Sequence, residues 1–73
     1  MNRLIIQVFR CGEWRNVTTV TFEPGHNGMD ADRKYAAAYR QASLMLSRWA
    51  GYFLEPLRIA EPTITGGYKE ARP

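Results

Sequence analysis

Few side chains in this sequence could act on a covalent bond. Cys11 is the only thiol and His26 the only imidazole, whereas nucleophilic catalysis needs a nucleophile, a base and an orienting group held together. The two stand in separate loop segments without a flanking motif. Cys11 reads as a small turn residue and His26 as an exposed loop residue. Asp30 and Asp32 form an Asp-x-Asp pair, a spacing seen at metal sites, with His26 as the only third donor nearby. Capping of a helix accounts for both carboxylates without a metal. One Cys and one His can build neither an internal disulfide nor a four-ligand zinc site. Gly25, Gly28, Gly66 and Gly67 match neither a Walker sequence nor G-x-G-x-x-G. The expectation is a non-enzyme with no catalytic residue, no metal and no cofactor.

Recognition chemistry is what remains. Eight of the ten basic residues are Arg, Lys34 and Lys69 being the exceptions, and the net charge is +3. Guanidinium favours forked contacts with carboxylate or phosphate and stacking on aromatic rings. At about 100° per residue, Tyr35, Ala38, Tyr39, Ala42, Met45, Leu46, Trp49 and Phe53 share one side of a helix. That side is the expected core face. The other side carries Arg33, Lys34, Arg40, Gln41, Ser47 and Arg48, with no carboxylate before Glu55. Solvated helices usually mix signs, because opposite charges four residues apart stabilise each other. Arg33, Arg40 and Arg48 instead make a ridge of one sign, spaced about 10–12 Å apart at 1.5 Å rise per residue. Leu44 lies within it. A second candidate surface is the first hairpin, where Phe9, Trp14 and Arg3 have the composition of a binding hot spot.

The elements that must hold these groups follow from local pattern. Residues 3–11 are rich in Ile, Val and Phe and residues 14–23 in Val and Thr, which predicts two strands. Cys11-Gly12 between them suits a two-residue turn. That turn pairs Phe9 with Trp14, Ile6 with Val17 and Leu4 with Thr19. Alternation then places Leu4, Ile6, Val8 and Val17 on one face, and Ile5, Phe9, Trp14, Val20 and Phe22 on the other beside Arg3, Gln7, Asn16 and Thr18. Residues 24–28 read as a loop. Residues 30–53 read as a helix capped by Asp30 or Asp32, ending at Gly51 or running on to Leu54, with Pro56 forcing Glu55 out of helical geometry either way. Residues 57–65 read as a third strand, which Pro62 confines to a sheet edge or shortens.

The predicted fold is therefore α+β: a three-stranded antiparallel sheet in the order β-β-α-β, with one long amphipathic helix on one face. Residues 1–65 form the single domain and residues 66–73 a mobile tail. One helix cannot cover two apolar sheet faces, so one face is expected to be left over, for a homodimer or a foreign protein. Hydrophobic residues at 45% and charged residues at 23% are ordinary globular values. A chain of this length buries only about 60% of its unfolded surface. A single cysteine points to a reducing, cytoplasmic setting, and no segment approaches a membrane span.

Together these features predict a small non-catalytic protein-binding module, an inhibitor or adaptor that occludes a partner complex. Its partner-binding residues are Arg33, Arg40, Leu44, Arg48, Phe9, Trp14 and Arg3, and its partner is a protein or complex, including one that handles nucleic acid. The alternative is direct DNA or RNA binding by the helix arginines and by Arg3, Arg10 and Arg15 around the hairpin, although no recognised nucleic-acid motif is present. In size and architecture alone, the chain resembles the small inhibitors that bacteriophages encode against host machinery, anti-CRISPR proteins among them. The resemblance rests on no motif and carries over no site.

Overall fold

Residues 2–72 are described by the computed structural model, and its element order is β1 (Asn2–Arg10), β2 (Glu13–Phe22), α1 (Gly28–Trp49), β3 (Leu57–Pro62) and β4 (Tyr68–Glu70). Met1 and Pro73, the outer bounds of the expected domain and tail, lie outside the described residues. The α+β class is as expected, with four strands rather than three. They run β2-β1-β3-β4, every neighbouring pair antiparallel. Since β2 and β3 both oppose β1, they run parallel to each other with β1 between them, and α1 makes the crossover from one to the other. The shortest dimension is 16 Å, room for one helix layer on one sheet and nothing further.

The β1–β2 turn forms as its residues dictate. Cys11 and Gly12 both take positive φ, 55° and 80°, the conformation that matches the twist of a two-residue hairpin. Phe9 then opposes Trp14, but the pairing further along differs from simple alternation. Gln7 opposes Asn16 and Ile6 opposes Thr18, so Val17 is an extra residue bulged out of β2. Beyond it Leu4 opposes Val20, not Thr19. The bulge moves Thr18, Val20 and Phe22 onto the face of Leu4, Ile6 and Val8, which corrects the expected division of β2. Strand periodicity cannot reveal such an insertion, since every residue past it changes face.

The core gathers on that face. Leu4, Val20, Ile59 and Ala71 pack with Ala38 and Ala42 of α1, and Phe22, Tyr35, Tyr39, Met45 and Leu46 close around them. Ala42 is 0% exposed and Ala38 4%, so two methyl groups lie at the centre of the helix–sheet contact, with the larger side chains around them. The predicted stripe therefore packs as drawn from Tyr35 to Leu46, whereas Trp49 packs on Tyr52 and Phe53. Phe53 falls outside it because α1 ends at Trp49, and Gly51, Tyr52 and Phe53 close a turn onto Arg48 and Trp49 carbonyls. At the other end Asn27, rather than Asp30 or Asp32, caps the helix. Its Oδ1 accepts from the Asp30 amide at 2.9 Å, while Asp30 Oδ2 accepts from the His26 amide at 2.9 Å. Asn27 sits one residue before the first helical position, where the orphan amides point.

Residues 66–70, expected within a mobile tail, form a turn and the strand β4 instead. Tyr68, Lys69 and Glu70 pair with Pro62, Glu61 and Ala60, the Ala71 amide donates to the Ile59 carbonyl at 2.8 Å, and Ala71 is buried. Without β4 the outer edge of β3 would leave its backbone groups unpaired. The intervening turn is tied by Thr63, whose amide donates to Gly67 O and whose Oγ1 accepts from the Gly67 amide. Pro62 ends β3, where its missing N–H costs little.

The connection into α1 supplies a test. Gly25 has φ +90°, and a Cβ there would lie 2.7 Å from the Ala31 amide nitrogen and 2.8 Å from the Ala31 Cα. Gly12 also has positive φ but open space around it. Gly25→Ala should lower unfolding free energy in urea titration by about 2 kcal/mol or more, and Gly12→Ala by less.

Candidate docking surfaces

Charge is distributed so that the glutamates are consumed locally. Arg10 pairs with Glu55 at 2.8 Å, Arg15 with Glu13 at 3.1 Å, Lys34 with Glu23 at 3.3 Å, Lys69 with Glu61 at 3.3 Å and Arg72 with Glu70 at 3.8 Å. These are surface pairs of small individual worth. Their effect is to use every glutamate of the chain and five of its bases, leaving five arginines against two aspartates. Arg3, Arg33, Arg40, Arg48 and Arg58 form no ion pair among the described residues, and the net charge of +3 resides there.

Three of them lie together. Arg33, Arg40 and Arg48 are exposed on the outer side of α1, opposite Ala38 and Ala42. Leu44 stands between Arg40 and Arg48 and is 70% exposed. Arg33 reaches back along its helix to the Met29 sulfur at 3.9 Å. The helix interior supplies no carboxylate to this side, so the outer face is an uncompensated cationic strip around one aliphatic side chain.

The second group, Phe9 and Trp14, sits at the hairpin tip on the sheet face that α1 does not cover. Their rings are 5.2 Å apart and tilted by 60°. That face is not the apolar surplus expected from the sequence. Arg58 of β3 stacks its guanidinium 4.3 Å from the Trp14 ring centre and donates from Nε to Gln7 Oε1 at 2.9 Å. Gln7, only 2% exposed, donates from Nε2 to Asn16 Oδ1 at 2.9 Å, and Asn16 Nδ2 approaches the Tyr68 hydroxyl at 3.4 Å. To meet Asn16 of β2 from β4, the Tyr68 side chain must lie across β3 and β1. This polar chain shuts Ile5 and Ala60, 1% and 0% exposed, away from water. A stacked Arg contributes about 0.5–2 kcal/mol, and it occupies one face of Trp14.

Arg3 stands apart from both groups. It lies six residues before Phe9 on the same strand, roughly 20 Å away at strand rise, in a groove with Asn2, Phe22, Tyr35 and Glu61. In that groove the Tyr35 hydroxyl has one proton for two acceptors, Arg72 O at 2.9 Å and Glu61 Oε2 at 3.1 Å. Burial pushes the Tyr35 phenol up to about 12, with the Glu61 hydrogen bond adding to it.

Cys11 and His26 are separated by the whole length of β2, roughly 30 Å, with Cys11 at the hairpin tip and His26 beyond the opposite end. Among the described residues no cluster of three or more His, Cys, Asp or Glu could hold a metal. Sequence reasoning missed Arg58 and Tyr68 as partners of Trp14 and Asn16, contacts spanning 44 and 52 positions that no local pattern signals. It also read Trp49 and Phe53 purely as core, although they support an exposed turn at Tyr52 and Leu54. The short apolar run between Gly51 and Pro56 is the signal that could have marked it. No family model, curated protein or solved structure matches this chain.

Two outcomes follow from the helix-free face and the groove. Arg58→Ala should cost about 1–2 kcal/mol and raise tryptophan quenching by acrylamide, as Trp14 loses its cover. One tyrosine should ionise near pH 12 in ultraviolet titration, and Tyr35→Phe should abolish that step. Because the folded value lies above the ordinary 10.0, the stability it confers is complete below pH 10 and lost as pH rises towards 12.

Proposed function

We propose that this protein is a non-catalytic docking protein that applies the outer face of α1, with Arg33, Arg40, Leu44 and Arg48, to an acidic surface of a partner protein, and acts by occluding or bridging that surface. The carrying observation is the charge distribution: each glutamate is tied to another base, and the uncompensated arginines on α1 surround an exposed leucine. An exposed apolar side chain flanked by guanidinium groups suits a protein contact that desolvates it, and Arg is the base that pairs bidentately with carboxylates. Phe9 and Trp14 serve this reading less well, since Arg58 already covers Trp14.

Direct nucleic-acid binding would recruit the hairpin arginines as well. Arg10 and Arg15 are each engaged by a glutamate, and Arg3 lies at the far end of β1. That leaves no continuous phosphate track between hairpin and helix.

Affinity capture from the native host, with wild type and the Arg40→Glu/Arg48→Glu variant side by side, tests the proposal. A specific protein should be retained by the wild type and lost by the variant, which should keep its unfolding free energy within about 0.5 kcal/mol because both sites are solvent-facing. Equal capture by both removes α1 from the mechanism. A gel shift of mixed-sequence DNA at micromolar protein and about 50 mM salt, weakening steeply as salt rises, would instead favour phosphate recognition.

A further inference from the structure

Both tryptophans and two of the three phenylalanines lie at one end of the molecule. The end of β1, the start of β2 and the turn after α1 meet there. The Phe9 amide donates to the Pro56 carbonyl at 2.9 Å. Arg10 pairs with Glu55 and lies 5.7 Å above the Phe53 ring, while the Arg10 hydrogen bond holds the Glu55 carboxyl below its ordinary range. Trp49 packs against Tyr52 at 5.7 Å and against Phe53 at 5.9 Å. On this base Tyr52 is 77% exposed and Leu54 104%, as free as in an extended peptide.

The charges at this end are those of Arg10, Arg15, Arg48 and Arg58 against Glu13 and Glu55, and both glutamates are already paired. The apolar turn is thus backed by aromatic rings and by an excess of guanidinium. We propose that residues 52–54 form a peripheral contact for an anionic lipid surface. Leu54 and Tyr52 enter the boundary between headgroups and acyl chains, Trp49 and Phe53 lie at headgroup level, and Arg48 meets lipid phosphate. No helix among the described residues is long and apolar enough to cross a membrane, and a contact of this kind requires none. Three features select lipid over a protein pocket. Tyr52 and Leu54 stand out into solvent. Exposed apolar groups, aromatic rings and a free Arg48 stand beside one another, the composition of a bilayer interface. The surplus charge complements anionic headgroups.

The contact uses a different surface from the α1 ridge, Arg48 being common to both. The test is co-sedimentation of the full chain with vesicles of phosphatidylcholine, with and without phosphatidylglycerol, together with tryptophan emission. Binding and a blue shift are expected only with phosphatidylglycerol. The Tyr52→Ser/Leu54→Ser variant should bind at least tenfold more weakly, and Arg48→Ala about fivefold more weakly. Both replaced positions are exposed, so circular dichroism of the double variant should match wild type. Absence of binding to phosphatidylglycerol vesicles at low salt, equal binding to both vesicle types, or full binding by the double variant would each overturn the proposal. The double variant should still capture the protein partner of the α1 ridge, which separates failure of one surface from failure of the other.

Discussion

Val17 stands in β2 without a counterpart on β1, and the composition of both sheet faces depends on that one insertion. Before it, Trp14 and Asn16 share a face with Phe9 and Gln7. After it, Val20 and Phe22 join Leu4 beneath the helix. Uninterrupted pairing would have put those two apolar side chains on the face with Gln7 and Arg58, and left Thr19 and Thr21 facing α1. A bulge turns a strand of mixed pattern into one whose two halves each face an environment they suit. The helix can then sit on an apolar layer while Ala38 and Ala42 bring it close.

A two-layer domain of this size still has a second sheet face to protect, and it does so with its own side chains. Gln7 is the pivot. Its amide is almost wholly buried and both its ends are used, the oxygen by Arg58 and the nitrogen by Asn16. Replacing either neighbour by an apolar residue would strand a buried polar group, which costs about 1–3 kcal/mol. The chain of contacts from Trp14 through Arg58, Gln7 and Asn16 to Tyr68 binds all four strands from the side opposite the helix. β4 therefore pairs the edge of β3 and also carries the tyrosine that closes the face.

Electrostatics divides the surface of the molecule. Ion pairs at the sheet edges and loops neutralise the glutamates where they stand. The outer arginines of α1, Arg33, Arg40 and Arg48, take part in none of them, and the helix carries no acid after Asp32. An exposed leucine inside such a strip is desolvated only when something covers it. The aromatic end built on Trp49 and Phe53 is chemically distinct, because aromatic rings back its two most exposed side chains, Tyr52 and Leu54.

Local chemistry alone accounts for much of this. The positive-φ turn at Cys11-Gly12, the amphipathic register of α1 up to Leu46, its carboxylate-free outer side with exposed Leu44, and Pro56 as a barrier to helix all follow from residue type and spacing within a few positions. These properties concern neighbours along the chain, where backbone geometry sets who faces whom. The bulge at Val17, the pairing of β4 with β3, and the cover that Arg58 and Tyr68 lay over Trp14 and Asn16 are of another kind. Each rests on partners far apart in sequence, brought together only when β3 docks beside β1, and each is chosen by packing and hydrogen-bond satisfaction in the assembled sheet. Periodicity carries no record of those choices, because a strand with one residue inserted, or a tail with a strand to pair with, has the same composition either way.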